Sequence, residues 1–277
     1  MSFTLSYNQN HLSLEKPVVM GIVNLTSDSF FEGSRTSNLQ ETLNKVQSMI
    51  NDGASIIDLG AQSTRPGAQL LSQEHELSVL IPAIQAIRAQ FANIWISIDT
   101  FYSGVAHACI LAGASVINDI SAGEFDPNML PVISELKVPY IAMHKQGDPQ
   151  NMQVNPTYTN VVSDVLKYFM EKKKHFDELG IHQWILDLGY GFGKTVEHNY
   201  ELLNHSNLFE AIGQPVLTGI SRKSMIYKPL KINANEALNG TSALNMIALE
   251  KGSHILRVHD VKEAMQCIEL HCLLKNK

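Results

Sequence analysis

Ile94-Trp95-Ile96-Ser97-Ile98-Asp99 is an apolar run closed by an acid, and Ser115-Val116-Ile117-Asn118-Asp119-Ile120 is a second run of the same kind. Between them, residues 103–112 carry apolar side chains at helical spacing, and Gly113 follows where a helix commonly ends on a left-handed residue. Short apolar runs rich in β-branched residues mark strands buried on both faces, as in parallel sheets. Strand, helix and strand in that order make one parallel crossover unit. The unit recurs to either side. Apolar runs occupy 18–24, 55–60, 94–99, 115–120, 139–144, 184–187, 215–219 and 253–258, with helix-patterned stretches such as 39–51, 75–90, 159–179 and 236–250 between them. Gly53, Gly180 and Gly252 close helices as Gly113 does.

Eight strands alternating with helices fit an open doubly wound sheet or a closed barrel. The polar residues favour the barrel. Asn24, Asp58 (with Ser63, Thr64 and Arg65 just beyond), Asp99, Asn118, His144, Asp187, Ser221-Arg222-Lys223, and Arg257 with His259 each follow an apolar run. In a barrel these strand ends meet on one rim, where enzyme sites lie, whereas an open sheet would spread them along an edge. The expected fold class is α/β: a single (β/α)8 TIM barrel over residues 17–277, with residues 1–16 as a short N-terminal β-hairpin plugging its bottom. No second domain or low-complexity linker is expected.

The 277 residues suit one such barrel, which typically needs ~250 residues. At 44% hydrophobic and 17% charged, the chain can bury a sizeable core. A net charge of −6 argues against nucleic acid as partner. Lys172-Lys173-Lys174, the one basic run, reads as a solvated helix face. Cys109, Cys267 and Cys272 form neither a disulfide framework nor a metal-ligand spacing. The first residues lack a basic region followed by an apolar stretch, and no window reaches the ~20 apolar residues of a membrane span. A cytoplasmic protein with no membrane partner is therefore expected.

Gly189-Tyr190-Gly191-Phe192-Gly193-Lys194-Thr195 looks like a nucleotide loop but matches neither the Walker nor the dinucleotide spacing. No H-E-x-x-H helix and no G-x-S-x-G elbow occurs. Two constellations remain. Asp99, Asn118 and Asp187 offer oxygens from the third, fourth and sixth runs, suited to a guanidine-like heterocycle edge rich in N–H donors. Alternatively, each acid caps the helix that follows it. Arg65, Lys223, Arg257 and His259, with Asn24 nearby, make a cationic cluster suited to a diphosphate with a hard divalent metal, or else a salt-bridged rim. Lys223 could form a Schiff base, but its neighbour Arg222 and the flanking serines favour anion binding. Residues 26–33 and 62–67 are glycine-bearing loops, candidate lids or plain connectors.

Taken together, Met20-Gly-Ile-Val-Asn-Leu-Thr-Ser-Asp-Ser-Phe30, Ser63-Thr-Arg-Pro-Gly67, Ile98-Asp-Thr100, Ile117-Asn-Asp-Ile120, Met143-His-Lys-Gln-Gly147, Gly191-Phe-Gly-Lys194, Ser221-Arg-Lys-Ser224 and Arg257-Val-His-Asp260 closely resemble the dihydropteroate synthase family of pterin-binding enzymes. The resemblance implies a Mg2+-dependent transferase of folate biosynthesis, active as a homodimer. It would join 4-aminobenzoate to 6-hydroxymethyl-7,8-dihydropterin diphosphate, giving 7,8-dihydropteroate and diphosphate, with diphosphate leaving before the amine attacks. The resemblance places the pterin against Asp99, Asn118, Met143, Asp187, Phe192, Gly219 and Lys223. It assigns diphosphate and metal to Asn24, Arg65, Arg257 and His259, with Thr64 beside the substrate. The aminobenzoate falls near Phe30, Pro66, Lys223 and Ser224. Arg65, Lys223, Arg257 and His259 would be catalytic, and Asn24 the metal ligand.

The chain departs from the usual family pattern at Ser27 (commonly Pro), Glu32 (commonly Asp), Ala61-Gln62 (commonly Gly-Glu), Leu188 and Tyr190. Two other readings share the pterin pocket: a corrinoid-linked methyltransferase acting on methyltetrahydrofolate, and a non-catalytic pterin-binding protein. Arg65 and Ser221–Ser224 argue against the first; Arg257, His259 and the loop glycines argue against the second.

Overall fold

The computed structural model describes residues 2–25, 35–62, 70–147 and 156–275. It opens with an antiparallel hairpin of β1 (Thr4–Tyr7) and β2 (Asn10–Ser13). Strands and helices then alternate: β3 (Val18–Asn24), α1 (Arg35–Asn51), β4 (Ile56–Gly60), α2 (Gln73–Gln90), β5 (Trp95–Asp99), α3 (Ser103–Leu111), β6 (Val116–Asp119), α4 (Met129–Leu136) and β7 (Tyr140–Met143). The second half continues with α5 (Val161–Glu178), β8 (Trp184–Asp187), α6 (Val196–Asn204), β9 (Val216–Thr218), α7 (Ser224–Leu230), α8 (Leu238–Glu250), β10 (Ile255–Val258) and α9 (Val261–Leu274). Strands β3 to β10 pair in parallel, and β10 returns to β3 to close the barrel. The closed barrel, rather than the open sheet, is the architecture.

Side chains alternate across each strand, and that period of two sets the position of everything on the rim. Val19, Val23, Ile57, Leu59, Ile96 and Ile98 point outward into the core shared with the helices. Met20, Ile56, Trp95, Val116, Ile141, Ile185, Leu217 and Ile255 point inward and form one apolar layer with Leu5 and Leu14 of the hairpin region. The hairpin thereby covers the N-terminal end of the barrel. Two residues further along their strands, the next inward positions are Asp58, Asn118, Met143, Asp187, Gly219 and Arg257. Four residues along come Asn24 and Asp99. The register sets Asp99 beside Asn118 and Met143 beside Asp187.

Helix ends follow local chemistry. Helix α5 starts at Val161 because the Asn160 side chain accepts the Ser163 N–H as an N-cap. Helix α8 starts at Leu238, since residues Ala234–Glu236 form a separate 3-10 turn capped by Asn233. The basic run on α5 is not uniformly solvated. Lys172 is pinned by Glu124 at 3.0 Å and by the Ala122 carbonyl at 2.9 Å, while Lys173 pairs with Asp177 on the outer face. All three cysteines are free thiols, two of them buried.

Candidate active site

The acceptor and cationic clusters, separate in the sequence, form one network in the barrel lumen. Arg257 on β10 donates from Nε to Asp58 at 2.7 Å and from Nη2 to Asp99 at 2.8 Å. Asp58 is enclosed and also accepts from the Asn118 amide, 3.2 Å from its nearer carboxylate oxygen. None of the three predicted acceptors caps a helix. The Ser103 N–H at the start of α3 is taken by Asp126, not by Asp99. The salt-bridged rim is therefore real for Arg257, but its partners are Asp58 and the predicted acceptor Asp99. Burial raises the Asp99 pKa, Arg257 opposes that, and the Asp58 charge adds to it, leaving the carboxyl at about 7.

Asp187 is buried at the end of β8 and accepts the Gly189 N–H at 2.8 Å. Burial raises its pKa, and the nearby Lys223 charge is the main opposing influence. Lys223 donates to the Tyr190 carbonyl at 2.7 Å, and its ammonium lies 4.8 Å from the centre of the Phe192 ring. Burial lowers the Lys223 pKa to about 8, against the pull of Asp187. An apolar wall of Phe101, Ile120 and Met143, joined by Phe125 and Phe192, flanks these polar groups. Gly219 holds no side chain over the neighbouring Arg257, whose Cβ would lie 3.8 Å from an added methyl.

The nucleotide-like glycine stretch serves a different purpose. Lys194 turns inward and donates to the carbonyls of Gly189 (2.9 Å), Phe192 (3.1 Å) and His144 (3.3 Å), and lies 3.0 Å from His144 Nδ1. Burial lowers its pKa to about 7 and drives that of His144 well below its ordinary value. A neutral His144 facing an ammonium accepts at Nδ1, which places its own proton on Nε2. Gly189 and Gly193 have positive φ, and a Cβ at either would collide with the backbone carbonyls of His144 and Gln146. This loop is bent around a lysine, with its backbone against the segment that follows β7, and carries Phe192 to the site.

Arg222, the neighbour expected to favour anion binding at Lys223, and His259 of the cationic cluster both change character. Arg222 is not available for an anion: it makes a two-pronged pair with Asp260 at 2.8 Å for each contact and donates to the Ala234 and Asn235 carbonyls. Its pairing leaves Lys223 as the cation of Ser221–Ser224 that faces the lumen. His259 stands beside Ser221, with Nδ1 at 3.1 Å from its hydroxyl. Partial burial and the Arg257 charge lower the His259 pKa, so the imidazole is neutral at pH 7 and contributes hydrogen bonding rather than charge. Asn24 ends β3 with an exposed side chain, and Ser224 opens α7. Phe30, Thr64, Arg65 and Pro66, with Ser27 and Glu32, lie outside the described residues.

Residues 20–259 match the family described as pterin binding enzyme. The chain is 43% identical over 256 residues to a dihydropteroate synthase of Haemophilus influenzae, covering 92% of each chain. The chain belongs to the dihydropteroate synthase family. Among solved structures, the Yersinia pestis dihydropteroate synthase in complex with a sulfonamide drug superimposes with a TM-score of 0.93 at 36% identity, covering 99% of this chain and 100% of that one. The Xanthomonas albilineans dihydropteroate synthase with 4-aminobenzoic acid gives a TM-score of 0.92 at 34% identity, with full coverage of both chains.

Within this dihydropteroate synthase fold, sequence reading overlooked several parts of the site. Asp58 stood among the strand-end polar residues, yet a buried acid two positions beyond an inward Ile needs a cation, and Arg257 is the one two positions beyond the inward Ile255. Phe101 and Ile120 lie just past the polar ends of β5 and β6, where apolar side chains carry no signal of a site. Lys194 resembled a phosphate ligand because sequence carries no record of the three carbonyls it collects.

Proposed function

We propose that the chain condenses 6-hydroxymethyl-7,8-dihydropterin diphosphate with 4-aminobenzoate in the cytoplasm, releasing 7,8-dihydropteroate and diphosphate. The observation that carries this reading is the Asp58–Arg257–Asp99 bridge, with Asn118 and Asp187 on the same inward layer. Two cations, Arg257 and Lys223, and several acceptors face a single lumen beside an apolar wall. The acceptors Asp99, Asn118 and Asp187 bind the amino and ring N–H edge of the pterin, and Met143, Phe192 and Gly219 leave a slot for its faces. Lys223, whose ammonium sits over the Phe192 ring, donates to the pterin from the same side as that ring. Arg257, released in part from two carboxylates by the incoming ring donors, reaches the diphosphate together with Arg65, Thr64 and His259.

In the reaction, the bond between the pterin methylene carbon and the diphosphate oxygen breaks, and its electron pair leaves with diphosphate. The electron-rich reduced pterin carries the resulting positive charge. The aminobenzoate nitrogen, near Phe30, Pro66 and Ser224, then forms the new C–N bond and loses a proton to solvent or to the departing diphosphate. Stabilising the leaving anion is where the cations act, because charge develops there in the transition state. Mg2+ supplies further neutralisation of that anion when bound. Among the described residues no set of three His, Cys, Asp or Glu side chains could cage a metal. Asn24 offers one exposed amide oxygen on the rim. That donor set fits Mg2+, which favours water and substrate phosphates over an all-protein cage.

Exposed Ile247 on α8 and Leu270, Leu273 and Leu274 on α9 support a homodimer formed through these helices. Among the described residues no helix is long and apolar enough to cross a membrane. The function is tested by diphosphate release from the pterin diphosphate, with and without 4-aminobenzoate, in Mg2+ and in chelator. Release in Mg2+ with a product of dihydropteroate mass is expected. Tight pterin binding without release would sink the transferase reading.

A further inference from the structure

Gln62 follows β4 and makes contacts that an acid could not reproduce. Its Nε2 donates to the Leu71 carbonyl at 3.0 Å, and its Oε1 accepts the Leu71 N–H at 3.0 Å. One side-chain amide thus pairs with the backbone of one residue as a neighbouring strand would. The second Nε2 hydrogen goes to Glu76 Oε1 at 2.6 Å. Glu76 lies in the first turn of α2 and is fully buried. Its other oxygen accepts from the Thr100 hydroxyl at 2.8 Å. Thr100 follows Asp99 directly, and its N–H donates to the Asn118 carbonyl. Tyr102 adds a hydroxyl bond to Leu71 O at 3.1 Å. A continuous set of bonds therefore leads from Gln62 to the strand end where Asp99 meets Arg257.

We infer that Gln62 is a positioning residue for the synthase reaction: its two N–H donors hold the Leu71 peptide and the Glu76 carboxylate together and, through Thr100, fix the β5 end that presents Asp99. The choice of residue matters because the geometry demands two donors from one side chain. A glutamate, the residue common at this place in the family pattern, offers none when ionised and one when protonated. An ionised glutamate here would also face Glu76 as a like charge. Groups near Glu76 include Asp99, Tyr102 and the Cys109 thiol on α3, with Glu74 acting on the same phenol. Burial already raises the Glu76 pKa, and the bonds from Thr100 and Gln62 offset it.

This inference rests on the proposed function, and its test separates the two. Gln62→Glu and Gln62→Met are compared with the parent by kcat/KM at pH 6 and pH 8.5, and by hydrogen exchange of the Leu71 amide corrected for intrinsic rate. For Gln62→Glu, the variant-to-parent ratio of kcat/KM falls about tenfold at pH 8.5 and largely recovers at pH 6, where the two carboxyls share a proton. For Gln62→Met the ratio falls equally at both pH values. Leu71 exchange rises about tenfold in Gln62→Met, and in Gln62→Glu at pH 8.5. A pH-independent ratio for Gln62→Glu, or parent-like Leu71 exchange in either variant at pH 8.5, overturns the inference. Should Gln62→Met fail to fold, the pH comparison within Gln62→Glu still decides. A parent that releases no diphosphate refutes the function instead, and Leu71 exchange still reads the Gln62–Leu71 pairing.

Discussion

Asp58 has no exposed surface in its side chain, and it accepts hydrogen bonds from two different strands, β10 through Arg257 and β6 through Asn118. Removing one member of a buried ion pair leaves the other uncompensated, at a cost of ~3–5 kcal/mol. Asp58→Ala is therefore expected to lose about that much stability in urea titration. Misplacing Arg257 by an ångström costs roughly 100-fold in kcat/KM. Unchanged kcat/KM in a folded Asp58→Ala protein would show that Arg257 does not depend on its buried partner. Lys223 gives a prediction of different form. Its ammonium loses a proton at about 8 in the free protein, so kcat/KM should decline above that pH. Lys223→Arg keeps its charge past pH 12 and should move this alkaline limb out of range, whatever its absolute rate. Steady-state profiles from pH 6 to 10 check it. At this scale the sequence displayed Asp99, Asn118, Asp187 and Arg257 because each polar residue interrupts or ends an apolar strand. The pairing of Arg257 with two of the acids was not legible, since partners 199 and 158 residues apart are joined only when the barrel closes.

The segment between β8 and α6 shows what an element adds to its residues. Glycine at 189 and 193 permits the close approach to His144 and Gln146 beyond β7, and Lys194 replaces the backbone pairing that a tight loop lacks. The sequence pattern announced a glycine-rich loop ending in lysine, and the phosphate reading failed only on spacing. The direction of the lysine was not legible, because it depends on two carbonyls of its own folded loop and on His144, just past β7. Lys194→Met strands those carbonyls and is expected to cost ~2–4 kcal/mol, at about 1–3 kcal/mol for each buried group left without a partner after partial relaxation. The sign of its pH dependence follows from the lysine. Folding lowers its pKa from 10.5 to about 7, so the unfolded chain binds the extra proton between those values and parent stability rises with pH across that window. Methionine lacks this contribution. The stability gap between parent and variant should widen from pH 7 to pH 9.5 in urea titrations, and a gap that narrows would refute the buried-lysine account. Because the loop carries Phe192, the KM for the pterin diphosphate should also rise more than the KM for aminobenzoate.

Across the whole molecule, the lumen divides into a lower apolar layer and an upper polar one, two residues apart along each strand. Strand count, alternation and polar strand ends made the barrel legible from sequence. The hairpin and its place at the lower end were legible too, but not the residues it meets, because its partners are single inward residues drawn from eight strands. Leu14 is 1% exposed and packs with Leu5, Met20, Ile56 and Trp95 in that lower layer. Truncating such a residue removes transfer energy and leaves a cavity, at ~2–5 kcal/mol. In a (β/α)8 barrel the two ends carry separate duties, stability at the N-terminal face and chemistry at the C-terminal face. Leu14→Ala should therefore lower the melting temperature by roughly 5–15 °C while kcat/KM, assayed well below the transition, stays within about twofold of the parent. The expected pattern is the reverse of Lys223→Arg, which should alter the pH–rate profile with little loss of stability. A Leu14→Ala enzyme whose kcat/KM fell as far as that of Asp58→Ala would mean that the lower layer sets the rim geometry directly, and the division of duties along the barrel axis would fail for this chain.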